Sequence, residues 1–150
     1  MRKLIILICF IQTLSTEAYS KSTILFLGDG MGITTITAAR IYEGQAKGID
    51  GESHSLSFEN FENVAFVKTY SADAQIPDSA GTMSAIMTGQ KTRSGVISVG
   101  PKYKRGDCEG VLLDSRTTLL ELAEKAGLKT GIITTARITD ATPAATYAHA

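Results

Sequence analysis

Residues 22–42 read STILFLGDGMGITTITAARIY, a short apolar run followed by three closely spaced glycines and a longer mixed segment. The run at 22–27 has the composition of a strand that is buried on both faces of a parallel sheet. The glycines within 28–32 interrupt this run, and residues 33–42 then favour a helix, although their threonines weaken that preference. The stretch therefore predicts a strand, a turn and a helix in succession.

The same alternation continues along the chain. The further predicted elements are a strand at 64–70, a helix at 79–88 that ends at Gly89, a helix at about 117–126 that is capped by Ser115 and ended by Gly127, and a strand at 130–135. The segments at 44–57 and 90–110 are polar or irregular and are expected to be loops. Strands that alternate with helices indicate right-handed crossovers, and hence an α/β fold with a mostly parallel central sheet between two layers of helices.

Composition and charge exclude several classes of protein. The 150 residues carry 15 Lys and Arg against 15 Asp and Glu, and 43% of them are hydrophobic. This is the composition of an ordinary globular domain. A net charge of zero and the lack of a long basic run argue against nucleic acid as a dedicated partner. A small basic cluster, Lys102, Lys104 and Arg105, is interpreted as part of a solvated loop.

Residues 1–20 have the layout of a secretory signal peptide. Two basic residues precede an apolar run at 4–11, and small residues follow, so that cleavage is expected after Ala18 or Ser20. A membrane anchor is the alternative, but the run is shorter than the roughly 20 residues that a spanning helix needs. We therefore expect an exported protein, either periplasmic, secreted or at the cell surface, in which residues 21–150 belong to a single domain.

Export would leave one cysteine in the mature chain, Cys108, because Cys9 lies in the predicted signal peptide. The chain also ends at residues 147–150 within an ordered-looking pattern. Both features are interpreted as signs that the sequence is the first part of a longer chain.

Polar residues follow each of the three predicted strands. Asp29 follows the first strand, Asp78 and Ser79 follow the second, and Asp140 and Thr142 follow the third. Because the carboxyl ends of parallel strands meet at one edge of a sheet, working residues gather there. We therefore expect these five side chains to converge on one site.

Asp29 lies between two glycines, which let the backbone approach a ligand closely, and its carboxylate is a hard oxygen donor for Zn²⁺ or Mg²⁺. A plain Asp-Gly turn is the simpler alternative. A dinucleotide-binding loop fits less well, because Gly28, Gly30 and Gly32 do not have the G-x-G-x-x-G spacing.

Ser79 begins the second predicted helix and is followed by two small residues. The open backbone N–H groups and the helix dipole favour an anion at such a position. The alternative is that Asp78 and Ser79 only cap the helix. The chain has two histidines, His54 and His149, and neither is indicated as a base, so a nucleophilic serine would need a cation to lose its proton.

Asp140 and Thr142 could bind one hard ion, either directly or through water as Mg²⁺ often prefers. The alternative for this segment is an Asp turn ahead of a helix with Pro143 at its first position.

Three segments together resemble the alkaline phosphatase family: FLGDGMG at 26–32, PDSAGT at 77–82 and DATPAA at 140–145. They occur in the family's order, the similarity covers nearly all of the mature chain, and three motifs in order are specific as a set. The resemblance implies the family's fold, a three-layer α/β sandwich with a mostly parallel central sheet, incomplete here.

The resemblance further implies a secreted, usually homodimeric enzyme that hydrolyses phosphate monoesters with two Zn²⁺ and one Mg²⁺. By motif, Asp29 would bind both a zinc and the magnesium, and Ser79 would bind zinc, attack phosphorus and become a phosphoserine. Asp78 would orient the phosphate-binding arginine. Thr142 would bind Mg²⁺, and Asp140 would bind it directly or through water.

Other parts of the family's site would lie beyond residue 150, namely that arginine, the remaining zinc ligands and a magnesium-binding Glu. None of these roles is assigned to Arg137, His54 or His149, because none of them matches a family motif. The resemblance also implies a disulfide from Cys108 to a later cysteine. We therefore expect the 150-residue chain alone to be inactive and to bind zinc poorly.

Two other functions stay open. A phosphodiesterase of the same superfamily would share much of the site, whereas a sulfatase is disfavoured because Ser79 lacks a Cys/Ser-x-Pro-x-Arg context. From outside the enzymes, the alternative is a secreted, non-catalytic module whose strand-end acids hold a structural cation.

Overall fold

The computed structural model describes residues 22–150, so the predicted signal peptide lies outside the described residues. Five α-helices occur in this part, together with a 3₁₀ helix at Ser57–Asn60. The α-helices are α1 (Ile33–Ala46), α2 (Ser79–Thr88), α3 (Cys108–Leu113), α4 (Leu119–Lys125) and α5 (Ala141–Ala144). None of the helices between residues 22 and 150 has both the length and the apolar character needed to cross a membrane.

The three predicted strands are not formed within the described residues. The segments 22–27, 64–70 and 130–135 carry no strand, and the pairing found in residues 22–150 is an isolated antiparallel bridge between Val99 and Ser115. A strand needs a neighbouring strand for its N–H and C=O groups and a covering layer for its side chains. These segments find neither here, so Phe26 and Phe66 are 88% and 91% exposed.

The first helix extends further than the sequence predicts. Helix α1 continues through Ala46, one turn beyond the expected end at residue 42, and so includes the start of the predicted loop. The rest of that loop packs back on the helix at Gly51, where a Cβ atom would lie 2.2 Å from the Cα of Ile41. Only glycine allows this approach of the two backbones.

Helix α2 has the predicted bounds. Asp78 is its N-cap, with a side-chain oxygen (Oδ1) that accepts the N–H of Gly81 at 2.9 Å. Gly89 ends the helix in the left-handed conformation, with a φ of 71°. The prediction of a helix at 79–88 is confirmed, and so is its termination by glycine.

Helix α4 is shorter than predicted, and its cap is a different residue. It spans Leu119–Lys125, and Thr118 caps it rather than Ser115. The hydroxyl of Thr118 accepts the N–H of Glu121 at 3.2 Å, and the Glu121 carboxylate accepts the N–H of Thr118 at 2.7 Å. This reciprocal capping box satisfies two N–H groups, which explains why the helix begins here.

A small apolar core holds the second half of the chain together. It consists of Met83 and Met87 of α2 and Ala145, with Ile97 and Leu120 packed against them. Helix α2 contacts both α4 and α5. The core therefore packs α2, which begins at Ser79, against α4 and against the end of α5.

Hydrogen bonds between buried groups reinforce this arrangement. The Ser84 hydroxyl accepts the N–H of Ser98 at 2.8 Å, and the Ser98 hydroxyl donates to the carbonyl of Ala145 at 3.0 Å. Ile97 and Ala150 exchange two backbone hydrogen bonds of 2.6 and 2.8 Å. The segment around residue 97 thus links α2 to the chain that follows α5.

Candidate active site

Asp29 and Thr142 meet in the folded chain although 113 positions separate them. The Thr142 hydroxyl donates a hydrogen bond of 2.6 Å to Oδ2 of Asp29. Asp29 lies in the turn ahead of α1, where Gly30 has a φ of 66° that a residue with a side chain rarely adopts. Thr142 lies in the first turn of α5. Two of the residues that the sequence singles out are therefore in direct contact.

Asp140 precedes α5 but faces a different partner. Its Oδ1 accepts a hydrogen bond of 3.1 Å from Nε of Arg137, and its Oδ2 accepts one of 3.2 Å from the Arg137 N–H. The helix begins at Ala141, so Pro143 occupies its third position and not the predicted first. Proline is tolerated in the first turn because N–H groups there have no partner within the helix.

Ser79 is the first residue of α2 and is half-buried. Asp78 beside it caps the helix, as the simpler interpretation of the sequence expects. Its second carboxylate oxygen, Oδ2, accepts the N–H of Gly95 at 2.5 Å. The carboxylate thus ties the loop around residue 95 to the start of α2.

Neighbouring atoms pack closely around Gly81, in the first turn of α2. A Cβ at Gly81 would lie 3.1 Å from the carbonyl oxygen of Arg93 and 3.1 Å from the hydroxyl of Ser71. The small residues after Ser79 are therefore needed for packing, besides leaving the N–H groups at the helix start accessible. The contact with the 93–95 loop has no signal in the local sequence, because its residues lie 14 or more positions away from Ser79.

Of the five predicted site residues, two from different motifs are in direct contact, namely Asp29 and Thr142. Helix α2, which begins at Ser79, packs against α5, which carries Thr142. Within the described residues, no hydrogen bond joins Ser79 to Asp29, Thr142 or Asp140.

The Asp29 and Thr142 pair has the chemistry of a site for a hard cation. A carboxylate and a hydroxyl oxygen are ligands that Mg²⁺ accepts. Their separation of 2.6 Å is close to the roughly 2.9 Å between neighbouring oxygens around octahedral Mg²⁺, for metal–oxygen distances of about 2.05 Å. Between residues 22 and 150, no group of three or more His, Cys, Asp or Glu side chains is placed to hold a metal. The residues present therefore fit part of a magnesium site.

Both histidines have other contacts. The His149 ring bonds to the Ser98 carbonyl through Nδ1 at 3.0 Å and to Glu121 through Nε2 at 3.2 Å. The N–H of Thr118, and then His149, hold the pKa of the Glu121 carboxyl below its ordinary value. His54 lies 3.5 Å from a carboxylate oxygen of Glu43. Among the residues that the structure describes, neither ring forms a hydrogen bond with Ser79.

Comparison with known sequences identifies the protein family of this chain. The sequence profile of the family described as "Alkaline phosphatase" matches residues 20–150. Alkaline phosphatase 4 of Drosophila melanogaster is 46% identical over 143 residues, and the match covers 92% of this chain and 23% of that protein. The tissue-nonspecific isozyme of alkaline phosphatase from Homo sapiens is 44% identical, with 93% of this chain and 26% of that protein covered.

Solved structures of alkaline phosphatases are also similar to this chain. A variant of the alkaline phosphatase from the Antarctic bacterium TAB5, with Mg bound in its M3 site, superposes with a TM-score of 0.64 at 29% identity, covering 81% of this chain and 30% of that one. The cold-active alkaline phosphatase of Shewanella sp. gives a TM-score of 0.58 at 28% identity, covering 83% and 28%.

The fold class is thus that of the α/β alkaline phosphatases, incomplete in this chain. The chain belongs to the alkaline phosphatase family. It spans about a quarter of the length of the curated relatives that it matches.

Proposed function

We propose that this chain is the N-terminal part of an exported alkaline phosphatase that hydrolyses phosphate monoesters through a phosphoserine at Ser79. The observation that carries the proposal is the 2.6 Å contact between Asp29 and Thr142, which joins the first and third motifs in space. The packing of α2, which begins within the second motif, against α5, which carries the third, supports the proposal. Membership of the family supports the reaction class.

Ser79 is the proposed nucleophile because of its place at the start of α2. A helix of 10 residues presents free N–H groups and a partial positive charge at this end, and both favour a phosphate group beside the serine. Asp78 takes up the N–H of Gly81 and leaves those of the first helical residues for the ligand. The hydroxyl would therefore lie against the phosphorus atom of a bound ester.

The proton of the Ser79 hydroxyl has no histidine to accept it, since His149 and His54 are engaged elsewhere. Divalent cations, when bound, supply positive charge that lowers the pKa of a coordinated hydroxyl and offsets the charge of the phosphoryl oxygens. We propose two Zn²⁺ and one Mg²⁺, with Asp29 shared between zinc and magnesium and Ser79 bound to zinc.

Thr142 and Asp140 are the further proposed magnesium ligands of this chain, besides Asp29. Thr142 already contacts Asp29, so the two oxygens would bind the ion side by side. Asp140 would have to release its contact with Arg137 or act through a water molecule. Because these side chains are accessible to solvent, binding through a water molecule needs less rearrangement than release of Arg137.

Asp78 is proposed to orient the phosphate-binding arginine, which would lie beyond residue 150. Each of its carboxylate oxygens accepts one backbone N–H in the structure. A carboxylate has about four sites for hydrogen bonds, so both oxygens can accept a further bond from a guanidinium group. The contacts to Gly81 and Gly95 would then hold the carboxylate in a fixed orientation.

The 150-residue chain alone is proposed to be inactive and to bind zinc poorly, because it spans about a quarter of its relatives and contains only part of the ligand set. The full-length protein is proposed to be a homodimer. The alternatives are a phosphodiesterase of the same superfamily and a non-catalytic module that binds a structural cation.

The test is steady-state hydrolysis by the full-length protein of a chromogenic phosphate monoester and the matching diester. We expect a higher kcat/KM for the monoester, a phosphoserine at Ser79 in acid-quenched protein, and loss of both in Ser79→Ala. Ser55→Ala, which changes an exposed serine in a loop, is the matched control and should behave as the unmodified protein.

Three outcomes would contradict the proposal. A preference for the diester would favour the phosphodiesterase. Metal-dependent thermal stability without hydrolysis or a phosphoenzyme would favour the non-catalytic module. Hydrolysis by the purified 150-residue chain, lost in Ser79→Ala, would refute its proposed inactivity.

A further inference from the structure

A basic groove lies on the surface of the loop region that follows α2. Its lining residues are Asp73, Arg93, Ser94, Lys104 and Arg105, and its volume is about 380 Å³. From the sequence alone, Lys104 and Arg105 are expected to be solvated loop residues. In the structure both are exposed, but they line one concave surface together with Arg93, which lies 11 or more positions earlier.

The groove has more positive charge than its own carboxylate can offset. Asp73 pairs with Arg93 at 3.7 Å and accepts the N–H of Ser94 at 3.0 Å. Arg93 also donates from Nε to the carbonyl of Pro101 at 2.8 Å. In the part of the chain that the structure describes, Lys104 and Arg105 form no ion pair. Two cations in the groove are therefore available to an external anion.

The groove lies close to the start of α2, the helix that begins with the proposed nucleophile Ser79. Gly95 donates its N–H to the Asp78 carboxylate at 2.5 Å, and a Cβ at Gly95 would lie 2.8 Å from Cδ of Arg105. With standard bond lengths, these contacts place Cδ of Arg105 within about 9 Å of the Asp78 carboxylate, which adjoins Ser79. An anion bound by Arg105 would therefore lie near the proposed reaction centre, at a distance that one substrate molecule can span.

We propose that the basic groove binds a second phosphate group of the substrate, so that the enzyme favours phosphate esters that carry another phosphate remote from the one removed. This inference rests on the proposed function and adds a substrate class to it. The Arg105 guanidinium can hold two oxygens of a phosphate at once, and Lys104 adds a mobile point charge. Arg93 is held by Pro101 and Asp73 and shapes the wall of the groove.

The experiment compares a hexose bisphosphate with a hexose monophosphate as substrates of the full-length protein. We expect the unmodified protein to have the higher kcat/KM for the bisphosphate, mainly through a lower KM. In the double variant Lys104→Ala, Arg105→Ala, the ratio of the two kcat/KM values should fall by about tenfold or more, since loss of even one hydrogen bond to a charged group costs about that much. The difference should shrink at high salt, which screens exposed charges.

Two control variants separate charge from structure. Lys102→Ala removes a neighbouring exposed lysine that does not line the groove, and it should leave the ratio unchanged. The single variant Lys104→Arg keeps both charges and the Arg105 guanidinium, and it should retain most of the bisphosphate preference.

The outcomes distinguish the two proposals. Failure of the unmodified protein to hydrolyse either ester contradicts the proposed function itself. Hydrolysis of both esters with the same ratio in unmodified and double-variant protein overturns the groove proposal alone. Weaker retention of the double variant on a sulfated polysaccharide column, with an unchanged ratio, would assign the groove to a polyanionic macromolecule and would also overturn the proposal.

Discussion

At the scale of single residues, the hydroxyl of Thr142 and the carboxylate of Asp29 form the contact on which the proposed metal site depends. Both side chains are accessible to solvent, so their hydrogen bond adds little to stability by itself. Its importance lies in holding two hard oxygen donors side by side. Removing one donor should therefore affect metal binding more than folding.

Thr142→Val keeps the shape of the side chain and removes the hydroxyl. We expect the affinity of the full-length protein for Mg²⁺ to fall by about tenfold or more, because loss of a group that only supports a ligand already costs about that much and Thr142 is proposed as a ligand itself. A Mg²⁺ titration followed by calorimetry would measure this change. Thr117→Val, at an exposed position outside the site, is the control, and equal Mg²⁺ affinity in both variants would contradict the assignment.

Glu121 allows a prediction about pH. Its pKa is lowered from an ordinary value of 4.5, first by the N–H of Thr118 and then by His149. A carboxyl with a lowered pKa stabilises the folded state above its unfolded pKa, and this contribution is lost as the pH falls through the folded pKa. Glu121→Gln should therefore lower the melting temperature at pH 7, and the difference from the unmodified protein should shrink below about pH 4.5.

Thermal melts of the full-length protein over a series of pH values would test this. Glu62→Gln, at an exposed position, serves as the control and should show no such trend. A difference for Glu121→Gln that stays constant from neutral to acidic pH would show that the charge of this carboxyl is not what stabilises the fold.

At the scale of secondary-structure elements, capping decides where the helices begin. The sequence predicts α2 correctly, because a strong N-cap and a C-terminal glycine mark both ends. It misplaces the start of α4, because Ser115 and Thr118 are both acceptable caps and only Thr118 has a Glu three residues later. The capping box is therefore the local signal that distinguishes Thr118 from Ser115.

Thr118→Ala removes this cap. We expect a loss of about 1 kcal/mol in the free energy of unfolding, and the fully buried position of the side chain adds a small cavity to the effect. Ser115→Ala, at the other acceptable cap position, should cost clearly less. Chemical denaturation of both variants of the full-length protein measures the difference, and an equal or larger loss in Ser115→Ala would contradict the assigned cap.

At the scale of the whole molecule, residues 22–150 leave large apolar side chains in solvent, including Phe26, Phe66 and Ile133 on the predicted strands. Strands of a parallel sheet are buried on both faces only when neighbours on either side are present. The apolar composition of each predicted strand is readable from the sequence, whereas strand pairing depends on distant segments that local patterns do not specify. The same holds for the site, where the type of each residue was predictable but the partners Gly95 and Arg137 were not.

The isolated 150-residue chain should therefore behave as an incompletely packed protein. We expect strong binding of the dye ANS, which reports exposed apolar surface, and association that increases with concentration. The full-length protein should bind little dye. Weak dye binding and a monomeric state of the isolated chain, measured by fluorescence and light scattering, would show that these segments are covered within the chain itself.

The most direct test of the account is a crystal structure of the full-length protein with Zn²⁺ and Mg²⁺, in which anomalous scattering identifies each metal. We predict that the oxygens of Asp29 and Thr142 bind one ion, that Asp29 also binds a zinc, and that the Ser79 hydroxyl lies about 2.0–2.2 Å from a zinc in the same pocket. Metals bound elsewhere, with Ser79 outside the pocket that holds Asp29 and Thr142, would contradict the central claim.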